Sequence, residues 1–295
     1  MNRTFLFTIE EKDEHKAIDL FLKSHGFSRH ILSKLKQHEN GILLNGTHAT
    51  TKTVLSNGDC LSICILEETP SKNIIPIPLP LDIIYEDEDI VVINKASDTP
   101  IHPSMHNFDN SLANGVAYYF QHQDSPFVFR CINRLDRDTT GLTIVAKNPL
   151  SGAILSSMVS RREIHREYLA ICTGKTPASG IINAPIARVS DSCIEREVNF
   201  EQGENAVTHF ETLQYLPDSQ LSLVKLKLET GRTHQIRVHM KHIGFPLIGD
   251  YIYHPDYTYI NRQALHSYRL NFLHPITRQP MSFTADLPAD MARLI

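Results

Sequence analysis

The sequence predicts an α+β protein in two parts, the larger built on a mixed, mainly antiparallel sheet. Strand-like runs crowd the region after residue 80 and do not alternate regularly with helical segments, which disfavours a parallel βαβ fold. Pro70, Pro76, Pro78 and Pro80 fall in one short stretch that cannot be helix interior. A chain of 295 residues is long enough for a full core and suggests one large domain plus a smaller one. We therefore read residues 1–68 as a small module, 69–80 as a linker of extended or polyproline character, and 81–295 as the main domain.

In the first part, Ala17, Ile18, Phe21 and Leu22 have helical spacing. Ser28 is a good N-cap for a second helix carrying Ile31, Leu32 and Leu35 on one face and offering Arg29, Lys34 and Lys36 on the other. Residues 41–46 read as strand and tight turn, and 54–65 as further strand with Asn57-Gly58-Asp59 as a turn. Beyond the linker, apolar runs flank the acidic turn Glu86 to Asp89 and predict a hairpin of strands 82–85 and 90–94. Further strands are expected at 142–147, 168–173, 208–214 and 221–228, with helices over 150–160 and from Thr233 to about His242.

No apolar run is long enough to span a membrane, and the start of the chain lacks the basic-then-apolar order of a signal peptide, so a cytoplasmic protein is expected. Cys60, Cys64, Cys131, Cys172 and Cys193 are scattered and odd in number, which argues against a disulfide framework. Cys60 and Cys64 read as buried small hydrophobes rather than zinc ligands. Sixteen histidines invite a metal reading. Pro103 keeps His102 and His106 from sharing a helix, His234 and His239 fall on different helix faces, and His239 and His242 lack a following carboxylate. No metal is expected. The net charge of −4 is unusual for a nucleic-acid binder, but Arg161, Arg162 and Arg166 crowd one stretch, and Lys225, Lys227, Arg232, Arg237 and Lys241 another. A basic cleft on a mildly acidic body fits that distribution.

The run Asn133-Arg134-Leu135-Asp136-Arg137-Asp138-Thr139-Thr140-Gly141 places a carboxylate, Asp136, beside a guanidinium at a strand–turn–strand junction. Such a junction suits a nucleophile or a base, and equally a polar turn in which Asp136 and Asp138 bond nearby backbone. With Ala146-Lys147 behind it, the run resembles the signature of the RluA-type RNA pseudouridine synthases. Asn133 and Thr140 replace a usual histidine and serine, and both keep hydrogen-bonding ability. The hairpin ending in Asn94-Lys95, followed by His102-Pro103, resembles the opening of that family's catalytic domain. Ala96 and Asp98 stand where Pro and Gly are usual there, so the loop is expected to be shaped differently. Arg166 to Gly174, Gly231 to His239, Gly244 to Tyr251, Arg262 to His266 and Phe272 to Pro275 resemble further family segments in the same order.

The resemblance implies a pseudouridine synthase-like domain whose reaction needs no redox cofactor or metal. It implies Asp136 as the essential carboxylate, adding to ribose carbon 1 or removing the carbon 2 proton. Arg237 would be its partner, a fork-shaped donor suited to a bidentate acceptor. Tyr168 would supply an aromatic face for uracil and a hydroxyl. Arg134 would fill the gap left by a flipped nucleotide, and Arg232, His234 and Gln235 would lie against RNA, with the following helix N-terminus suited to phosphate. Ser28-Arg29, Leu43 to Gly46 and Gly58-Asp59 resemble the alpha-L RNA-binding module, with Arg29, Lys34 and Lys36 facing phosphate. Large-subunit ribosomal RNA is the implied substrate, transfer RNA the alternative, and the protein is expected to be a monomer with no obligate protein partner.

Two rival readings use the same residues. Asp136 to Thr140 superficially fits the aspartyl signature of magnesium-dependent phosphatases, but Asn133-Arg134 interrupts the strand that signature wants, and Arg232 to His239 stays unexplained. A non-catalytic RNA binder would account for Asn133, Ala96 and Asp98, yet Asp136, Tyr168 and Arg237 are all present.

Overall fold

The computed structural model describes residues 2–67, 69–104, 107–121, 126–192 and 194–295. His106 and Cys193 lie outside them. In the first part come β1 (Arg3–Thr8), α1 (Ile18–Ser24), α2 (Arg29–Leu35), β2 (Ile42–Leu44), β3 (Thr47–His48) and β4 (Cys60–Ile65), the strands forming a sheet in the order β1-β4-β2-β3. As expected, Ser28 caps α2, its hydroxyl accepting the Ile31 N–H at 3.3 Å. The strand expected over 54–65 shrinks to β4. There Leu61, Ile63 and Ile65 point inward, so alternation turns Cys60 and Cys64 the other way. Cys60 is exposed and Cys64 half-buried, which corrects their reading as buried hydrophobes.

The main domain runs β5 (Asp82–Glu86), β6 (Ile90–Lys95), α3 (Leu112–Gln121), β7 (Thr140–Ala146), α4 (Pro149–Ser160) and β8 (His165–Thr173). It continues with β9 (Ser179–Asn183), β10 (Ile186–Arg188), β11 (Arg196–Val198), β12 (Val207–Leu216) and β13 (Leu221–Leu228). Last come α5 (Gln235–His242), β14 (Leu265–Leu273), β15 (Pro280–Thr284) and α6 (Ala289–Ala292). Strands order as β5-β6-β7-β14-β8-β13-β12-β9, with β15 on β14 and β10 pairing β11 apart. Among the described residues of the large sheet, only β7 and β14 run parallel. That pairing puts Gly141 opposite Ser267 at φ +105°, where a Cβ would lie 2.3 Å from the Ser267 carbonyl oxygen. Glycine is required there, and the requirement fixes where the preceding loop meets the sheet. Every residue of β7 is buried, as a central strand covered on both faces should be.

The linker is not a free tether. The Asn114 side chain donates to the Ile75 carbonyl at 2.7 Å, the Ser71 hydroxyl accepts from the Phe129 N–H at 2.9 Å, and the Asn114 carbonyl accepts from the Ile77 N–H at 3.2 Å. The two parts also share one apolar core, in which Phe21, Leu22 and Ile31 join Ile90, Leu142, Ile154, Leu155 and Met158. Each such side chain contributes about 1.5–3 kcal/mol when buried. Arg3 bonds Asp89 through Nε and Nη2, both at 3.1 Å, and Arg130 pairs Glu67. Among the described residues, no helix is long and apolar enough to cross a membrane.

Candidate active site

The loop carrying Asp136 is held from three sides. Asn133 is buried; its amide donates to the Leu142 carbonyl at 3.0 Å and its Oδ1 accepts the Ile144 N–H at 2.8 Å, tying the loop's start to β7. At the end of β6, buried Lys95 donates from Nζ to the Ala96 and Arg137 carbonyls at 2.6 and 2.8 Å. Burial pushes its pKa down to about 7, against the opposing charges of Asp138 and Asp136. Arg262, itself paired with Asp290, donates to the Asp138 carbonyl at 3.1 Å. The Asp138 carboxylate faces the Arg137 guanidinium rather than the backbone partners expected from sequence. Asp98 sits at φ +52°, the left-handed region that glycine favours and Asp tolerates, so the substitution there keeps a glycine-like turn.

Asp136 faces a cavity of about 520 Å³, a size suited to a small ligand. Arg237, at 1% exposure, donates from Nη1 to Asp136 Oδ2 at 3.0 Å. Its other face is taken by Asp250, with Nε to Oδ2 at 2.7 Å and Nη2 to Oδ1 at 2.8 Å. The bidentate partner is therefore Asp250, which the sequence reading did not single out, and Asp136 receives a single bond. Burial acts to lower the Arg237 pKa, but the hydrogen bonds of Asp250 and the charges of both carboxylates outweigh it and hold the guanidinium charged. Tyr251 and Tyr253 lie over the guanidinium at 5.4 and 5.0 Å. Tyr168, buried on β8, lines the same cavity, and burial raises its hydroxyl pKa.

Asp136, Tyr168 and Arg237 thus meet at one cavity from segments far apart in sequence. A family model described as RNA pseudouridylate synthase matches residues 89–242. The chain belongs to this family. It is 42% identical to the uncharacterized RNA pseudouridine synthase YjbO of Bacillus subtilis, over 92% of this chain and 95% of that one. It is 39% identical to the ribosomal large subunit pseudouridine synthase D of Escherichia coli O6:H1, over 75% of this chain and 71% of that one. Among solved structures, human RNA pseudouridylate synthase domain containing 1 aligns with a TM-score of 0.58 and 25% identity, over 75% of this chain and 86% of that one.

The remaining residues of the synthase divide by what they touch. Arg134 is exposed at the cavity rim. His234 places Nε2 3.9 Å from Asp136 Oδ2 and bonds the Tyr253 hydroxyl through Nδ1 at 3.0 Å; burial lowers its pKa, opposed by Asp136, which favours a neutral ring. Arg232 is exposed and pairs with Glu204. Gln235 differs from its expected place against RNA. Its Oε1 accepts from Thr230 and Arg232 at 2.8 and 2.9 Å, and its Nε2 donates to Val207 and Thr208, both at 3.0 Å. With every site used and the residue buried, it shapes the turn before α5 instead. That helix begins at Gln235 rather than Thr233, after His234 at φ +58°. His239 bonds Thr208 and the Ala184 carbonyl through its two ring nitrogens, so neither is open to a metal. In the first part, Lys34 borders a groove toward Arg130, Lys36 borders a separate hollow by Thr50, and Arg29 is exposed. A 100° step per residue separates Arg29 and Lys34 around α2, so the three do not form one face.

Proposed function

We propose that this synthase isomerises uridines of large-subunit ribosomal RNA to pseudouridine, with Asp136 as the catalytic carboxylate. The observation that carries the assignment is the Arg237-bonded carboxylate facing a cavity of nucleotide scale. In the reaction the C1′–N1 bond breaks, a C1′–C5 bond forms, the C5 hydrogen leaves as a proton and N1 gains one. Asp136 adds to C1′ or takes the C2′ proton; both routes use a carboxylate beside ribose. Tyr168 offers the uracil a face and a hydroxyl, and Arg237 orients Asp136. Arg134, Arg232 and His234 border the RNA, with Arg134 placed to fill the stack behind a flipped nucleotide. Residues 1–68 act as the RNA-binding module, 69–80 as its linker and 81–295 as the catalytic domain, in a cytoplasmic monomer that uses neither cofactor nor metal.

The ribosomal substrate is supported by similarity to an enzyme named for the large ribosomal subunit. Mapping pseudouridine in total RNA from cells with and without the protein tests it. A site lost from large-subunit ribosomal RNA, and restored by the wild type but not by Asp136→Asn, is the expected result. Loss confined to transfer RNA would overturn the substrate, and an active Asp136→Asn would overturn the mechanism.

A further inference from the structure

Among the described residues, five arginines line the cavity, Arg134, Arg162, Arg166, Arg232 and Arg237, against two carboxylates, Asp136 and Glu229. Three are committed. Arg237 holds Asp136 and Asp250, Arg162 holds Glu229, and Arg232 holds Glu204. Arg134 is at the exposed rim. Arg166 is different. It is half-buried on β8, two residues before Tyr168, so the two side chains leave the same face of the strand. Its Nε is buried and has no hydrogen-bond partner among the described residues. The acids nearest in sequence are spoken for, Glu163 by Arg161 and Glu167 by Lys227, as is Glu229 of the same cavity, by Arg162 and His209. The guanidinium lies against Gly231, where a Cβ would sit 3.1 Å from Nη1 and 3.5 Å from Nη2. The missing side chain at 231 leaves the fork room beside the turn that leads to α5.

A guanidinium at the cavity wall with no acceptor among the described residues can take one from outside the chain on its Nη1–Nη2 edge. Building on the function proposed above, we propose that Arg166 grips a phosphate flanking the flipped-out uridine and so seats the ribose against Asp136. Phosphate is the acceptor that a guanidinium fork meets with two parallel bonds, whereas each uracil carbonyl offers one oxygen. Arg166 is thus a substrate-positioning residue, and Gly231 the residue that makes space for it.

The probe is an RNA stem-loop with one loop uridine, made with ordinary phosphates and again with a neutral methylphosphonate on the 5′ or the 3′ side of that uridine. Binding is followed across salt for wild type, Arg166→Ala, Arg166→Lys and Gly231→Ala, with thermal melting as the check on folding. For the wild type, one methylphosphonate should weaken binding on the order of 10- to 100-fold, the scale of a charge-assisted pair, and flatten the logarithmic salt slope by about 0.7. Arg166→Ala should weaken binding to the ordinary RNA as much and lose nothing further on that methylphosphonate. Arg166→Lys should recover part of the loss, and Gly231→Ala should show a smaller loss in the same direction. If Arg166→Ala and each methylphosphonate weaken binding multiplicatively, or Arg166→Ala binds like wild type, the assignment is wrong. Binding needs no turnover, so this outcome is independent of the pseudouridine mapping. Where the wild type converts the uridine, a single-turnover rate that falls for Arg166→Ala at saturating enzyme adds the positioning role.

Discussion

Asp250 is the residue whose removal should hurt most without touching RNA. It is fully buried, and its Oδ1 accepts the Ile252 and Tyr253 N–H groups at 3.0 and 3.1 Å besides one arm of Arg237. Asp250→Asn keeps an oxygen for those backbone groups but sets an amide NH2 against a guanidinium N–H and deletes a charge. Breaking one side of a buried ion pair costs about 3–5 kcal/mol, and the retained oxygen argues for the lower end. At about 2–4 °C per kcal/mol for large domains, Tm should fall by roughly 6–12 °C. The rate should fall too, because Asp250 fixes two of the three nitrogens that aim Nη1 at Asp136. A shift of about 1 Å in such a constellation costs on the order of 100-fold. Thermal melting, RNA affinity and single-turnover release of tritium from the uridine C5 position measure the three effects separately. A variant with unchanged Tm and unchanged rate would refute the claim that Asp250 holds Arg237, whatever its RNA affinity.

Arg237→Lys keeps the charge but cannot bond Asp250 and Asp136 together, so its single-turnover rate should lie between those of wild type and Arg237→Ala while RNA affinity stays near wild type; a collapse of affinity alone would make Arg237 an RNA contact. Lys95 has a folded pKa near 7, below the roughly 10.4 of an unfolded lysine, so between those values the unfolded chain binds the extra proton and stability rises with pH. The burial penalty is full below pH 7, and Lys95→Met should flatten the rise of Tm between about pH 7 and 10; an unchanged slope would show another group is responsible. A chain beginning at about residue 75 should melt earlier and aggregate, since it exposes the apolar face of α4; a soluble truncation with unchanged Tm would show the shared core to be dispensable.

Much of this was legible because catalytic segments carry their chemistry locally. Asp136 and Arg237 were legible through the resemblance of their segments to family signatures; by its own residues the turn at Asp136 reads equally as a polar turn. What stayed hidden was pairwise. Nothing near Asp250 in sequence says that its carboxylate will meet Arg237, because the contact exists only once the turn after α5 folds back onto the helix. Gln235 misled for the same reason: a polar residue in a polar run reads as a ligand, and only the turn around it shows all four hydrogen-bond positions filled. Strands β14 and β15 were also missed. In β14 the adjacent His266 and Ser267 are both buried, one on each face, among apolar residues, so period-two patterning is weak where the sheet serves the site.

The overall charge and the cavity pull in opposite directions, and the fold reconciles them. A net charge of −4 repels RNA at long range, yet among the described residues the cavity lining carries five arginines to two carboxylates. Several acidic residues outside its lining are spent on internal ion pairs: Asp89 on Arg3, Glu67 on Arg130, Glu86 on Lys147, Asp290 on Arg262. Within the cavity, ion pairs neutralise those arginines whose task is to hold the frame. Arg166 and Arg134 are left with charge to offer. On the proposal that Arg166 grips phosphate, a phosphate entering there would meet unspent donors over a short range, where screening by salt is weakest, and discrimination between RNA held at the site and RNA passing the surface would follow from that contrast.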